Sequence, residues 1–276
     1  MCADYAVNKR EAIASGRFEV KISGVQQSER LSIILERIAE RGNVAVALLA
    51  QELEVSAATI RRDLGLLDSQ RLMTRTHGGA TARGLLYELP LRYKAGRHGE
   101  EKLRIAFAAA ERVKEGAAVG LTGGTTTTEV SRAIADRPGL TIVTNALNIA
   151  AELAVRPNLR LVVPGGVARS ESYELVGPLA EASLQNLYLD IVFVGVDGIA
   201  PESGLTTHHD VEANTNRALI YRAPYVVVVA DSSKVGRVTF AKICGLDQVD
   251  ELITDSNAPA DVLEALERAG VKIVIV

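Results

Sequence analysis

The chain has 276 residues, of which 47% are hydrophobic, so it can bury the core of one large or two moderate domains. Its two cysteines, Cys2 and Cys244, lie far apart and outside any metal-ligand spacing, which excludes a disulfide scaffold and favours a reducing cytosol. The longest apolar runs are strand-sized and charge interrupts the first twenty residues, so we expect a cytoplasmic protein with neither a membrane span nor a secretory signal.

The net charge of −3 hides a difference between two parts of the chain. Residues 1–104 hold 17 Lys and Arg against 13 Asp and Glu, a net charge of +4. Residues 105–276 hold 14 against 21, a net charge of −7. A nucleic-acid partner is therefore expected only for the first part, provided that its charge is focused on one face.

Helical periodicity begins after an irregular start. Residues 1–27 show no sustained hydrophobic period, and we predict that they form a disordered lead-in. From Ser28, apolar residues recur at helical spacing until Gly42, which predicts a first helix. A short second helix follows, and Ser56 is a good N-cap for a third.

The third predicted helix, S-A-A-T-I-R-R-D-L-G-L-L, separates its residues by face when each is advanced by about 100° from its neighbour. Ile60, Leu64 and Leu67 point inward. The outward face is small, polar and basic, which suits a helix in the major groove of DNA. Its candidate DNA-contacting residues are Ser56, Ala58, Thr59, Arg61 and Arg62.

The next segment, R-L-M-T-R-T-H-G-G-A, predicts a short strand and a Gly-Gly turn that carry Arg75 and His77. Two arginines on a helix are usually a solvated face, and that alternative applies here too. Three short helices followed by a basic hairpin nevertheless favour a winged helix-turn-helix that binds double-stranded DNA, over residues 28–84.

Beyond this domain the pattern changes twice. Residues 85–98 are mixed in character and contain Pro90, which predicts a linker or an arm. Residues 99–276 alternate strands with helices and predict an α/β domain, a mostly parallel sheet covered by helices on both faces. The predicted strands are 117–122, 140–144, 159–163, 190–196, 225–230 and 272–276.

Residues 119–130, V-G-L-T-G-G-T-T-T-T-E-V, predict a strand that breaks at a glycine pair and restarts as a helix. Free N–H groups and the dipole at a helix N-terminus favour an anion, and glycines let the backbone approach it. Threonine hydroxyls can also donate to phosphate oxygens. The residues of this candidate phosphate site are Gly123, Gly124, Thr125, Thr126 and Thr127. A capped turn is the alternative, because Thr is a good N-cap.

Polar residues also follow other predicted strands, and ligands of parallel sheets bind at the carboxyl ends of the strands. These residues are Asn145, Gly165, Gly166, Asp197 and Lys234. We expect Lys234 to bind phosphate, and Asn145 and Asp197 to bind sugar hydroxyls. No spacing of His, Cys and carboxylates resembles a metal site, and no motif predicts a cofactor.

Residues of about 28–255 resemble the DeoR family of bacterial sugar-metabolism repressors. The resemblance rests on T-I-R-R-D-L and H-G-G-A, then on G-G-T-T, L-V-G-P, G-V-D-G-I, G-L-T-T and D-S-S-K. It implies a large domain with the fold of ribose-5-phosphate isomerase and glucosamine-6-phosphate isomerase/deaminase that senses a phosphorylated sugar. It also implies a repressor of a carbohydrate operon, an operator DNA partner and a homo-oligomer, either a dimer or a tetramer. Residues E-S-Y-E-L-V-G-P look closest to amino-sugar regulators of the family.

The chain departs from the expected patterns at two positions. Arg71 stands where family members commonly carry glycine. Ile199 follows Asp-Gly where the deaminases carry the histidine of sugar ring opening, and isoleucine cannot move protons. We therefore expect a regulator and not an enzyme. The alternative is a sugar-phosphate isomerase or deaminase with an attached DNA-binding domain, in which Asp197 acts as a base. Residue chemistry leaves activation open as an alternative to repression.

Overall fold

The computed structural model describes residues 27–82, 90–94 and 97–276. The predicted lead-in, apart from Gln27, lies outside the described residues, as do 85–89 and 95–96 of the predicted arm.

The first unit contains three helices and a small antiparallel sheet, in which β3 pairs with both β1 and β2. Its elements are α1 Gln27–Arg41, β1 Asn43–Ala45, α2 Val46–Glu52, α3 Ala57–Ser69, β2 Thr74–Thr76 and β3 Gly79–Thr81. This is the predicted winged helix-turn-helix, with β2, β3 and their turn as the wing. The sequence reasoning missed β1, because a strand of three residues gives no usable period.

The core of this unit follows the helical period of the sequence. Ile34 and Ile38 of α1 are fully buried, as are Ile60 and Leu67 of α3. The inward face of α3 is therefore the predicted one, and its burial against α1 fixes which face of α3 remains in solvent.

The second unit alternates helices and strands along the chain. Its elements are α4 Leu91–Lys94, α5 Gly99–Ala110, β4 Ala118–Leu121, α6 Thr125–Ile134, β5 Thr141–Thr144, α7 Leu147–Leu153, β6 Arg160–Val162, β7 Val167–Ala168, β8 Leu175–Val176, α8 Pro178–Leu184, β9 Ile191–Val194, β10 Gly198–Ala200, β11 Gly204–Thr207, α9 Asp210–Ile220, β12 Val226–Val229, β13 Ala241–Cys244, β14 Glu251–Thr254, α10 Ala260–Arg268 and β15 Lys272–Ile275. Two short 3-10 helices, Ser232–Lys234 and Leu246–Gln248, follow β12 and β13.

A seven-stranded sheet in the order β15-β14-β12-β9-β4-β5-β6 forms the centre of this unit, and all its strand pairs are parallel. Alternate residues of one strand enter different cores: Val226 and Val228 pack with α8, α9 and α10, whereas Val227 and Val229 pack with α5, α6 and α7. The predicted parallel sheet with helices on both faces is confirmed.

Three parts of the second unit were not predicted. Strand β14 lies between β12 and β15, although its four residues, E-L-I-T, begin with a charge and show no clear period. A small antiparallel sheet, β10-β11-β13, and the hairpin of β7 and β8 add side chains beside the large sheet.

The order of the strands reverses between β4 and β9. From β4 the chain proceeds to β5 and β6 in one direction, whereas β9, β12, β14 and β15 extend in the other. Such a switch point opens a crevice beyond the carboxyl ends of the two strands, which is where open α/β sheets bind ligands.

Candidate functional site

The exposed face of α3 holds the residues predicted to contact DNA. Ser56 is its N-cap and accepts a hydrogen bond from the N–H of Thr59 at 3.1 Å. Ser56, Ala58, Arg61 and Arg62 are exposed, and Thr59 is half-buried. The structure therefore places all five on the solvent side of the helix.

The wing adds two basic residues to the same surface. Arg75 and His77 are exposed, and with Arg61 they line a hollow of about 210 Å³ between α3 and the wing. Within the described parts of the chain, no carboxylate pairs with Arg61, Arg62 or Arg75. Among the described residues, this face presents positive charge that no carboxylate neutralises.

An ion pair that the sequence reasoning missed lies behind this face. Asp63 is fully buried, and the Nε and Nη2 atoms of Arg30 donate to its two carboxylate oxygens at 2.6 and 3.3 Å. Gln27 donates to the same carboxylate at 3.2 Å. The Asp of T-I-R-R-D-L therefore fixes α3 on α1, while the two preceding arginines face solvent.

Arg71, where family members commonly carry glycine, has a φ of 59°, in the left-handed region. Its N–H donates to Asp68 O at 2.8 Å, and the N–H of Leu72 donates to Leu67 O at 3.0 Å. These bonds close α3 in a Schellman motif, whose left-handed residue is usually glycine. An L-residue adopts this conformation at a steric cost, so glycine is the residue that this helix end favours.

The crevice at the switch point contains six of the predicted effector-binding residues. They are Gly123, Gly124, Thr125, Thr126, Asp197 and Lys234. The loops after β4 and β9 approach closely there, since a Cβ at Gly195 would lie 2.7 Å from Gly123 O. Four predicted residues are not among those that line this crevice, namely Thr127, Asn145, Gly165 and Gly166.

The geometry of the glycine-threonine loop differs in part from the expectation. The N–H of Gly123 donates to Glu174 Oε1 at 2.8 Å, and a Cβ at Gly123 would lie 2.5 Å from this side chain. The hydroxyl of Thr127 donates inward to Gly124 O at 3.0 Å. Thr125 and Thr126 in the first turn of α6 do face the crevice, beside N–H groups that have no partner four residues earlier in the helix.

Asp197 is the ionic centre of the crevice. Lys94 Nζ lies 3.0 Å and Lys234 Nζ 3.7 Å from its Oδ1 atom. Burial alone would raise the pKa of Asp197, but the two ammonium groups outweigh it and lower the pKa below its usual value. The carboxylate is therefore ionised at neutral pH, and both lysines remain close to it.

A second acidic group lies at the end of the crevice near Gly123. Glu174 and Glu212 are both buried, and Arg169 pairs with Glu212 at 2.5 Å. Burial, together with the neighbouring Glu212, raises the pKa of Glu174 well above its usual value.

Asn145 lies behind this acidic pair and not on the crevice wall. Its Nδ2 atom is 3.4 Å from Glu174 Oε1 and 3.3 Å from Asn216 Oδ1. The predicted contact of Asn145 with a ligand would therefore be indirect, through Glu174 or Asn216. Helical spacing could have suggested Glu212 and Asn216, because they lie four residues apart on the inward face of α9.

The arm and α5 add several basic residues to the crevice. Lys94, Arg97, His98 and Lys102 all line it. Lys102 donates to the backbone oxygens of Lys94, at 3.1 Å, and of Arg97. Burial lowers the pKa of Lys102 to about 8; Asp231 acts against this change, whereas Lys234, Arg97 and Lys94 add to it. No hydrophobic period marks these residues, so the sequence reasoning missed them.

The described residues of the predicted arm contact both units. Tyr93 is buried in the core of the first unit, hereafter the DNA-binding unit. Its hydroxyl donates to Gln70 Oε1 at 2.5 Å. Arg97 pairs with Glu36 of α1. On the other side, the N–H of Leu91 donates to Glu171 O at 2.7 Å. The arm therefore joins the DNA-binding unit to the crevice.

The described residues form neither a metal-binding cluster nor a membrane-spanning helix. No three His, Cys, Asp or Glu side chains in them are grouped so as to hold a metal ion. None of the helices they form is long and apolar enough to span a membrane.

Comparisons with known proteins match both units. Residues 30–83 match the family model of the DeoR-like helix-turn-helix domain, and residues 97–256 match that of the DeoR C terminal sensor domain. The chain is 36% identical to a putative aga operon transcriptional repressor of Escherichia coli O157:H7, over 95% of this chain and 97% of that protein. It is 33% identical to the glycerol-3-phosphate regulon repressor of Escherichia coli (strain K12), over 88% of this chain and 96% of that protein.

Among solved structures, ribose 5-phosphate isomerase A of Methanocaldococcus jannaschii is similar over 49% of this chain and 54% of its own, with 22% identity and a TM-score of 0.37. The relatives that match nearly the whole chain are named as regulators and not as enzymes, which confirms the expectation of a regulator. The chain belongs to the DeoR family of transcriptional regulators, as the sequence motifs predicted.

Proposed function

We propose that the protein is a cytoplasmic repressor of a carbohydrate-utilisation operon, released from its operator by a phosphorylated sugar. The observation that carries this proposal is the arm, whose described residues contact both the unit that bears the basic face of α3 and the crevice with its helix N-terminus and cations. The proposed units are the DNA-binding domain of residues 28–84, the arm of residues 85–98 and the effector domain of residues 99–276.

The operator contact is proposed for the exposed face of α3 and the wing. Small residues at the start of α3 allow a close approach to base edges, and the arginines can reach bases or phosphates. The proposed contacts are Ser56, Ala58, Thr59, Arg61, Arg62, Arg75 and His77. Pseudosymmetric operators are read by symmetric proteins, so the working form is proposed to be a homo-oligomer, a dimer or a tetramer.

In the crevice, we assign the phosphate of the effector to the first turn of α6 and to Lys234. Lys234 suits this role because its ion pair with Asp197 is the looser of the two, at 3.7 Å. The sugar hydroxyls would then face Asp197, Glu212 and Asn216, which also line the crevice.

An amino-sugar phosphate is the finer form of this proposal. The carboxyl groups of Glu174 and Glu212 both line the crevice and can accept hydrogen bonds from an amino group.

Release of the operator requires that the effector bind the two domain arrangements with different affinity. A ligand that binds both arrangements equally shifts nothing, so the effector must favour the one that does not bind DNA. The arm is the proposed lever because its described residues contact both units.

The test is a thermal-shift panel of sugar phosphates, each beside its unphosphorylated parent. A ligand at 100 times its Kd stabilises the folded protein by about 2.7 kcal/mol. We expect one phosphorylated sugar to raise the melting temperature while its parent does not. Equal effects of phosphorylated and parent sugars would contradict the phosphate assignment.

Lys234→Ala provides the site-specific variant for this panel. It removes one charge-assisted contact to phosphate, which is worth about 1.5 to 3 kcal/mol, and should reduce the melting shift while operator binding is retained. Lys114→Ala removes an exposed lysine that is not among those lining the crevice and should leave the shift unchanged. An unchanged shift in Lys234→Ala would remove Lys234 from the proposed site.

A further inference from the structure

Arg97 lies where the two functional regions meet. Its Nη2 atom pairs with Glu36 Oε1 on α1, and the same residue lines the crevice beside Lys102 and Lys234. The side chains of Arg97 and Glu36 are 25% and 19% exposed, so water screens this pair only in part. Arg97 therefore contacts the DNA-binding unit through its guanidinium and also forms part of the crevice wall.

The backbone around Arg97 is attached to the crevice. Lys102 is buried and donates to the backbone oxygens of both Lys94 and Arg97, and Lys94 pairs with Asp197. The contacts to the DNA-binding unit come instead from side chains: Arg97 reaches α1, and Tyr93 reaches Gln70 at the C-cap of α3. A change of partner by the Arg97 side chain thus reaches the DNA-binding unit without movement of the arm backbone.

The chemistry of Arg97 suits an anion with more than one oxygen. A guanidinium presents several donors in a planar fork that matches phosphate and carboxylate alike. Burial lowers the pKa of Arg97, and although Asp231 acts against this change, Arg237 adds to it. The partly desolvated cation gains from a nearby anion, and a phosphate dianion offers twice the charge of the Glu36 carboxylate.

We propose that Arg97 is an effector-binding residue for which the anion of the effector and Glu36 compete. Anion binding in the crevice then weakens the contact between the arm and α1, and so couples the crevice to the DNA-binding unit. This inference rests on the proposed function, because it requires an anionic effector in the crevice. Coupling of this kind is reciprocal, so removing the Glu36 carboxylate must tighten anion binding.

The experiment compares the full chain with Glu36→Gln and a matched control, Glu52→Gln. Glu52 pairs with Arg37 of α1 at 2.6 Å and has an exposure of 30%, but it does not line the crevice. Binding of glucosamine 6-phosphate and of inorganic phosphate is measured by calorimetry at constant pH. We expect Glu36→Gln to bind both probes about threefold to tenfold more tightly, and Glu52→Gln to bind as the original chain does. A role of Glu36 in folding alone would not tighten binding at a separate site.

A double exchange, Glu36→Arg with Arg97→Glu, tests the same inference from the other side. It restores an ion pair between the arm and α1 but places a carboxylate in the crevice. We expect the melting temperature to stay close to that of the original chain, and probe affinity to fall about tenfold or more, since an attraction becomes a repulsion. If the exchanged protein does not fold, Glu36→Gln still decides the question.

The outcomes separate the two proposals. If the original chain binds a probe and Glu36→Gln binds it with the same or lower affinity, this inference is overturned while the proposed function stands. If the original chain binds neither probe, this inference and the amino-sugar form of the proposed function fail, while the thermal-shift panel still decides between other sugar phosphates.

Discussion

The DNA-binding face and the effector crevice treat positive charge in opposite ways. On the face of α3 and the wing, Arg61, Arg62 and Arg75 are exposed and, among the described residues, have no carboxylate partner. In the crevice, Lys94 and Lys234 share Asp197. The first surface leaves its charge to a partner, whereas the second neutralises much of its charge internally.

This difference corresponds to two kinds of ligand. A polyanion such as DNA releases condensed counterions into solution when a basic protein surface binds it. Arginines without a carboxylate partner therefore favour affinity. A small anion in the crevice must replace bonds that the lysines already make with Asp197. The lost ion pairs are compensated only by a ligand that offers an anionic group to the lysines and hydrogen-bond donors to the Asp197 carboxylate. This requirement favours selectivity.

The largest effect is expected at the one buried ion pair described above for the DNA-binding unit, that of Arg30 and Asp63. Asp63→Ala removes the buried carboxylate that pairs with Arg30 behind α3, and we expect this unit to lose about 3 to 5 kcal/mol of stability. Urea unfolding followed by circular dichroism measures the loss. Asp68 lies on the same helix but forms no ion pair among the described residues. Asp68→Ala should therefore change stability by about 0.5 kcal/mol or less. Equal effects of the two changes would contradict the structural role of Asp63.

The next largest effect is expected on the exposed face. Arg61→Ala or Arg62→Ala should each weaken operator binding by about 1 to 3 kcal/mol if a base contact is lost, or lower the salt slope by about one unit if a phosphate contact is lost. Fluorescence anisotropy with a selected operator fragment at several salt concentrations distinguishes these cases. Arg268→Ala, an exposed arginine in the last turn of α10, is the control and should bind normally. Full-strength binding by the Arg61 and Arg62 double variant would overturn the DNA assignment.

A third prediction concerns pH and the crevice. The pKa of Lys102 is lowered to about 8, from 10.5 for a solvated lysine, and a bound anion should raise it again. Anion binding therefore takes up a proton, and affinity should fall by at most about tenfold per pH unit as pH rises above 8. A sugar phosphate without an amino group keeps a constant charge in this range. Calorimetry at pH values on both sides of 8 therefore measures the change in affinity that comes from titration of the protein alone.

The stability of the unliganded chain should change with pH in the opposite direction. The unfolded chain retains the Lys102 proton to a higher pH than the folded chain, so this group contributes increasing stability as pH rises from about 8 towards 10.5. Lys102→Arg, whose guanidinium stays charged, should flatten both profiles. A pH dependence that is unchanged in Lys102→Arg would assign it to another group.

The smallest expected effect is a gain in stability at the end of α3. Arg71→Gly relieves the strain of a left-handed arginine, although it also increases the freedom of the unfolded chain and removes contacts of the arginine. We expect a net stabilisation of about 0.5 to 1 kcal/mol in urea unfolding. Arg71→Ala, which keeps the strain, serves as the control, and a greater gain from alanine would contradict the account of this turn.

The two regions also differ in how far the sequence predicted them. The face of α3 follows from its own helical period, because burial of Ile60 and Leu64 determines which neighbours stay in solvent. The crevice depends on which loops the sheet brings together. Residues directly after β4 and β9 were predicted because these strands flank the switch point.

One reason explains both the predicted residues that do not line the crevice and the lining residues that were not predicted. Gly165 and Gly166 follow β6, which is an edge strand two positions from the switch point, so the strand-end rule does not bring them to the crevice. Glu174 comes from the hairpin of β7 and β8, and Lys94 from the arm. Neither segment has a hydrophobic period, and only the tertiary fold brings their side chains to Gly123 and Asp197.

The proposal that a phosphorylated sugar in the crevice releases the operator is tested most directly by measuring that release. A selected operator fragment, labelled for fluorescence anisotropy, is bound by the full chain and titrated with each phosphorylated sugar and its parent. The account predicts that one phosphorylated sugar releases the DNA, that its parent does not, and that Lys234→Ala requires more of it. A sugar phosphate that binds the protein and leaves operator affinity unchanged would contradict it.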